Sequence, residues 1–258
     1  MLYFSEANAK IETLGKYLGL DKGEKIYSLD LLSGYTCPGA KDCHSKVVVD
    51  KSGKRSIKDG RHTQFRCFSA SQEVLFPGVY KHRYENWQAI KACQGAEQVC
   101  NLILTTLPPK CKVLRYHVGG DFFKRTYFEG AYHAAKKRPD VIFYAYTKSL
   151  HFLATLPYNR TDLSRGVLLP NFLVTGSRGG KYDNLLDALQ LRTATVVFSR
   201  EATELPIDHD DSHAATAGGD FALLLHGTQP KGSKAAAAWQ KVKKSEGGYS
   251  RKKKGVKA

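Results

Sequence analysis

The sequence predicts an α/β fold in which a parallel sheet forms a complete or partial (β/α) barrel, and two observations carry that expectation. From Lys112 to His226, apolar segments of strand length alternate with segments of helical period, the pattern of parallel strands joined by crossover helices. The residues that follow those strands are unusually polar, as expected where the carboxyl ends of barrel strands carry the function. A chain of 258 residues can bury such a core as one domain, read as residues 1–230, with a C-terminal helix and basic tail over 231–258.

Ile26 to Leu32 reads as the first strand, closed by the turn Ser33-Gly34-Tyr35, and the cysteine-bearing segment 33–70 hangs from its end. Within that segment, Val47 to Arg66 scatters Lys51, Lys54, Arg55, Lys58, Arg61 and Arg66 among glycines and serines, a composition that predicts a phosphate-contacting loop. Tyr84 to Leu107 sets Trp87, Ile90, Val99, Leu102 and Ile103 at helical spacing and stops at Pro108-Pro109, which predicts one long helix. The alternation follows: strand Lys112 to Val118, helix Tyr127 to Lys137, strand Val141 to Thr147 and a short helix Leu150 to Leu156. Strand Asn171 to Thr175, helix Asp183 to Leu191, strand Thr195 to Ser199, strand Phe221 to His226 and helix Ser233 to Val242 complete it.

The formal net charge is +16, and Lys231 to Ala258 holds ten lysines and arginines against the single Glu246. Such a balance attracts polyanions through counterion release, so the expected partner is nucleic acid, DNA before RNA. The tail from Gly247 has almost nothing apolar to bury and is expected to be disordered. It also offers no apolar face to a membrane, and no obligate protein partner is evident. The N-terminus has no export pattern and no apolar run reaches membrane-spanning length, so the expected location is the cytoplasm, with the six cysteines reduced.

Cys37, Cys43 and Cys67 are the candidate metal ligands. The turn Pro38-Gly39-Ala40 lets side chains on either side converge, as thiolate ligands of zinc or an iron-sulfur cluster must, with His44 or His62 as a fourth ligand. The alternative is three reduced thiols that pack, the reading also given to Cys93, Cys100 and Cys111. Candidate catalytic residues lie beyond the strands: Asp121 after Gly119-Gly120, His117 on the same strand as Arg115, Asp208 in the run Asp208-His209-Asp210-Asp211-Ser212-His213, and His226. Candidate substrate contacts are Arg115, Phe122, Phe123, Tyr146, Lys148, Ser177 and Arg178, the last two in the basic Gly-rich loop Gly176 to Lys181, whose backbone N–H groups suit phosphate. For most of these a hydrogen-bonded or packed structural role competes with function.

Four blocks, Asn8-Ala9-Lys10, Thr36-Cys37-Pro38-Gly39-Ala40 with Cys43, Arg115-Tyr116-His117 with Gly120-Asp121-Phe122, and Phe143-Tyr144-Ala145-Tyr146-Thr147-Lys148-Ser149, occur in that order. Together they resemble the bacteriophage family called gene product eighty-eight, which is similar in layout to three-cysteine phage proteins with a radical-SAM-like barrel. The resemblance implies a phage protein acting in the bacterial host, a barrel-like fold, and a cysteine-held metal centre, with S-adenosylmethionine a candidate cofactor. The chain departs from the radical pattern, which sets its three cysteines within eight residues, because 23 residues separate Cys43 from Cys67. The family's later cysteine-rich segment is replaced by the run from Asp208 to His213.

The functional expectation is a phage enzyme that modifies DNA bases beside an iron-sulfur or zinc centre, with Phe122 and Phe123 receiving an extruded base. Radical chemistry and base exchange, a transferase reaction, are the leading reaction types; metal-assisted phosphodiester hydrolysis at Asp208, Asp210 and Asp211 is the lesser one. The alternative is a non-catalytic nucleic-acid-binding or host-takeover protein with a structural zinc.

Overall fold

The computed structural model describes residues 1–7, 9–156 and 161–246. Asn8 and the tail from Gly247, with its expected disorder, lie outside the described residues. The element order is β1 (Phe4–Glu6), α1 (Ala9–Tyr17), β2 (Lys25–Leu29), β3 (Ser45–Val49), β4 (Arg55–Asp59), α2 (Phe68–Leu75), α3 (Pro77–Ala92), α4 (Ala96–Thr106), β5 (Cys111–Tyr116) and α5 (Arg125–Lys137). It continues with β6 (Ile142–Thr147), α6 (Leu150–Ala154), β7 (Val167–Leu169), β8 (Phe172–Ser177), α7 (Asn184–Ala188), β9 (Thr193–Val197), β10 (Phe221–Leu224) and α8 (Lys234–Glu246).

The main sheet runs β1-β2-β5-β6-β8-β9-β10. From β2 to β10 every neighbouring pair is parallel, while β1 adds antiparallel to β2 and β7 antiparallel to β8. The hydrogen-bonded path is open, ending at β1 and β10, so the described strands do not close into a complete barrel.

Side chains alternate between the two faces, as the pleat requires. Leu114 and Tyr116 of β5, Phe143 and Ala145 of β6, and Phe172 and Val174 of β8 join the larger core, with α4 and α5 packed over it. On the opposite face a second cluster takes one residue from each of the six parallel strands: Ile26, Val113, Tyr144, Leu173, Ala194 and Phe221.

Two expectations need correction. Val47 to Arg66 is not a loop: β3 and β4 pair antiparallel from Ser45↔Asp59 to Val49↔Arg55, because the β-branched run Val47-Val48-Val49 meets a turn at Asp50-Lys51-Ser52-Gly53 whose backbone Asp50 Oδ1 holds through Ser52 and Lys54. The long helix breaks at Cys93-Gln94-Gly95, where Cys93 and Gly95 are extended and Gln98 reaches back to accept from the Gln94 N–H at 2.9 Å. Cys93 and Cys100 therefore belong to different elements. The elements β1, α1, α2 and β7 were not anticipated.

Candidate functional site

Beyond the carboxyl ends of the parallel strands lies a cavity of about 450 Å³, lined from β5, β6, β8, β9 and β10 and from the segment that follows β2. It gathers eleven of the fourteen candidate residues: Cys37, Cys43, Cys67, Arg115, His117, Asp121, Tyr146, Lys148, Ser177, Asp208 and His226.

The cysteines come together because the chain between the second and third folds back on itself. Asp42 O accepts from the N–H groups of Gln64 and Phe65, His44 O accepts from Gly60 at 2.7 Å, and Ser45 Oγ receives the Cys67 N–H. The 23 intervening residues are thus a hairpin standing on a closed base, and Cys67 opens α2 beside the first two cysteines. Gln229 holds the preceding residue from the other side, accepting from Arg66 N and donating to Arg66 O. Across the gap, Glu73 of α2 accepts from the backbone N–H and hydroxyl of Ser33, four residues before Cys37, and Arg83 of α3 donates to the same carboxylate at 3.0 Å.

Burial raises all three thiols, Cys67 to about 11, and Cys37 is pushed further up by Asp121, Cys67 and Cys43. They sense one another's charge, yet among the described residues no group of three His, Cys, Asp or Glu side chains is drawn up ready to bind a metal ion. The donor chemistry nonetheless fits a thiolate-held group: three clustered sulfurs disfavour one another's ionisation, a conflict a cation between them reverses. One backbone N–H, that of Gly34, already points at Cys37 Sγ at 3.3 Å. Of the two candidate fourth ligands, His44 lines the cavity, and His62 is exposed elsewhere.

Asp121 ties the ends of β5 and β6. It accepts from its neighbour Phe122 N–H at 2.7 Å, Thr147 Oγ1 at 2.6 Å and Lys148 N–H at 2.8 Å. Burial outweighs these donors and lifts its carboxyl to about 6. It is not a helix cap, since α5 starts four residues later. Gly120 lines the cavity and must be glycine for packing as well: it has φ +89°, and a Cβ there would sit 2.6 Å from Thr36 Oγ1, next to Cys37. His117 has φ 122°, shares a 2.7 Å hydrogen bond between Nε2 and the Tyr127 hydroxyl, and leaves Nδ1 buried without a partner. Burial, then the charge of Arg115, lowers it to about 3.

Lys148 directs its ammonium at three neutral oxygens, Ser177 O, Ser177 Oγ and Arg178 O. Among the described residues no carboxylate lies within ion-pair distance of it, so it lends the cavity wall a fixed positive charge. Arg115 pairs with Asp211, which also accepts from the Tyr144 and Tyr146 hydroxyls. The acidic run is therefore spent internally: Asp211 on Arg115, and Asp208 on the backbone N–H groups of Asp210 and Ala214. Arg192, fully buried, pins the same loop through the carbonyls of His213, Ala214 and Thr216.

The remaining candidates lie elsewhere. Phe122 is wholly buried against Tyr116, Tyr127 and Phe128, so its ring is not open to receive a base, while Phe123 is half-buried, packs on Tyr127 and does not line the cavity. Arg178 stands 3.7 Å from Asp187 on the surface. The N–H groups of Gly179 and Gly180 both bond Asp183, and Lys181 bonds the Pro38 carbonyl; the Gly-rich loop clasps the cysteine turn and is not open to phosphate. Sequence reasoning missed Tyr127, Glu73 and Arg83, none of which carried a local signal.

The gene product 88 family profile matches residues 2–244. No curated protein and no solved structure matches the chain.

Proposed function

We propose, for a chain that belongs to the bacteriophage gene product 88 family, that this cavity is the active site of an enzyme that modifies nucleic acid, DNA before RNA, with an iron-sulfur cluster held by Cys37, Cys43 and Cys67. The observation that carries the reading is the convergence of three separated cysteines with ionisable side chains from successive strand ends on one cavity. A purely structural zinc site needs closed coordination and no adjoining chamber. A cluster held by three thiolates keeps one iron open to a small molecule, and supplies one-electron chemistry; S-adenosylmethionine is the candidate for that position.

The chain's own residues supply the rest. Lys148 offers fixed positive charge beside Cys43, suited to an anionic centre. Asp121, with its carboxyl at about 6, takes or gives a proton near neutral pH. His117 stays neutral and presents Nδ1 as a hydrogen-bonding atom. A partial barrel is the architecture this reading adopts, supported by the single cluster to which all six parallel strands contribute. Strong net positive charge supports the nucleic-acid substrate, and action in the host cytoplasm belongs to the same proposal.

Anaerobic purification with iron and zinc analysis and a visible spectrum tests it, on wild type and Cys67→Ala. Broad thiolate-to-iron absorption that Cys67→Ala loses is the expected result. Stoichiometric zinc without colour replaces the cluster with a zinc site in which His44 is the available fourth ligand. No metal in either protein overturns the cysteine argument.

A further inference from the structure

Five of the nine large hydrophobic side chains exposed among the described residues sit in one region, built by the β3-β4 hairpin, its flanking loop, α2 and α3: Tyr35, Val49, Leu75, Phe76 and Tyr84. Within it the aromatic rings form a row. Tyr80, Tyr84 and Trp87 recur at i, i+4 and i+7 on α3, which places them on one helix face. Tyr80 and Tyr84 are stacked with centroids 6.5 Å apart and planes 15° from parallel. Trp87 meets Tyr84 edge-on at 6.1 Å, and Tyr35 stacks on Trp87 at 5.6 Å.

Each end and the middle of the row carries a cation. Arg55 lies over Tyr80 at 5.9 Å, Lys91 over Trp87 at 5.5 Å and Lys46 over Tyr35 at 5.1 Å. Lys51, Lys54 and Lys58 are exposed on the same hairpin. The one carboxylate on this stretch of α3, Glu85, faces Lys81 at 3.9 Å. The hydroxyl of Tyr35 is fixed on Val47 O, and Tyr35 directly follows Gly34 of the cavity wall.

We infer that this aromatic and basic face is a binding platform for a single nucleic-acid strand, which it delivers to the cavity. The inference rests on the nucleic-acid reading above and adds where the strand lies and that it is unpaired. Rings interleaved with cations bind bases by stacking on their π faces while Lys and Arg follow the phosphates, a combination that favours single strands and is tolerant of sequence. A protein partner would use the same rings but would have no need of a cation over three of the four, and charge complementarity selects the polyanion. Burial in a duplex hides the base faces that such a row needs.

The test is fluorescence anisotropy of the full chain with a labelled single-stranded DNA oligonucleotide, the same oligonucleotide annealed to its complement, and the matching RNA. The variants are Tyr84→Ala, the double change Tyr80→Ala with Tyr84→Ala, and Tyr84→Phe. Tyr84 is 44% exposed, so its truncation leaves the fold intact, checked by circular dichroism. The expected result is single strands bound more tightly than duplex, affinity about ten- to a hundredfold weaker on losing the stacked ring, and near-wild-type affinity in Tyr84→Phe. Wild type that binds single strands while the double variant binds equally well sinks the platform and leaves the nucleic-acid reading standing. No binding by wild type to any of the three sinks both. A dimer of the chain alone that the double variant dissociates assigns the face to a second copy and overturns the inference.

Discussion

Replacing Glu73 by alanine tests how the cysteine site is assembled. Glu73 is fully buried, and its Oε1 alone receives Ser33 N at 3.0 Å, Ser33 Oγ at 2.8 Å and Arg83 Nη1 at 3.0 Å. Ser33 leads to Cys37, and α2, which bears Glu73, begins just after Cys67, so this one oxygen ties the first cysteine to the third. Arg83 is itself 4% exposed, with Asp30 no nearer than 3.9 Å. Truncation takes the nearest carboxylate from a buried guanidinium, which keeps Ser69 and Gln72, and strands the backbone N–H and the hydroxyl of Ser33, a change worth about 3–5 kcal/mol. At roughly 2–4 °C per kcal/mol for a chain of this size, Tm should fall by about 6–20 °C. Glu73→Gln keeps an acceptor for Ser33 and should fall between. The control Asp140→Ala breaks the exposed pair with Arg138 and should cost at most about 1 kcal/mol. Thermal unfolding by circular dichroism, with metal content measured well below Tm, reads both consequences. A Tm within about 2 °C of wild type together with undiminished metal would refute the tie between Ser33 and α2.

Acid should expose His117. Its folded value lies near 3, below the unfolded 6.5, so its contribution is present above pH 6.5 and is lost as pH falls from there toward 3. The loss is on the order of 5 kcal/mol, and denaturant midpoints across that window should flatten in His117→Gln; an unchanged slope would show that the ring is not the buried neutral group described. Gly120→Ala forces a side chain onto φ +89° and against Thr36 Oγ1 and Leu31, which should cost about 1–3 kcal/mol or more and lower metal content by moving Thr36 beside Cys37, both read from purified protein. Asp211→Asn leaves Arg115, 12% exposed on the cavity wall, without its carboxylate; a loss of about 2–4 kcal/mol in urea unfolding is expected, below the range for a fully buried pair, and a change below about 1 kcal/mol would mean that the pair does not hold the loop.

What was legible in the sequence was what short-range pattern encodes. The strands β5, β6, β8 and β10 read correctly because their apolar runs are bounded by turns, and the polar side chains that sit where those runs stop are the ones that line the cavity. Phe122 failed under the same logic, since a ring after a strand end is indistinguishable in sequence from one that the next helix covers, and here Tyr127 and Phe128 of α5 cover it. The hairpin was hidden by its charge: seen as lysines and arginines, residues 47–66 look like loop, though Val47-Val48-Val49 before Asp-Lys-Ser-Gly is a strand-and-turn signature. Glu73 and Arg83 gave no local signal, because their meaning lies in a contact with Ser33, forty residues from Glu73.

That hairpin also explains how the site tolerates a cysteine spacing unlike any compact ligand motif. Ligand geometry depends on where chain ends emerge, not on the residues between them, and a closed base makes the intervening length nearly irrelevant: doubling a flexible loop costs only about 0.6 kcal/mol. Here the base is a ladder, with Asp42 bonded to Gln64 and Phe65, His44 to Gly60, and Ser45 to Cys67. Cys43 and Cys67 thus leave the same point of the fold, as though the excursion were absent. The excursion is then free to acquire a role of its own, and Arg55 over Tyr80, Lys46 over Tyr35 and the Tyr35 hydroxyl on Val47 O show it contributing both cations and support to the aromatic row. Replacing residues 46–58 with a short Gly-Ser turn should therefore separate the two proposed roles, leaving any metal content of the wild type unchanged while weakening single-strand affinity. Loss of metal in that variant would mean that β3 and β4 are needed to set the cysteines, and not only to carry the platform.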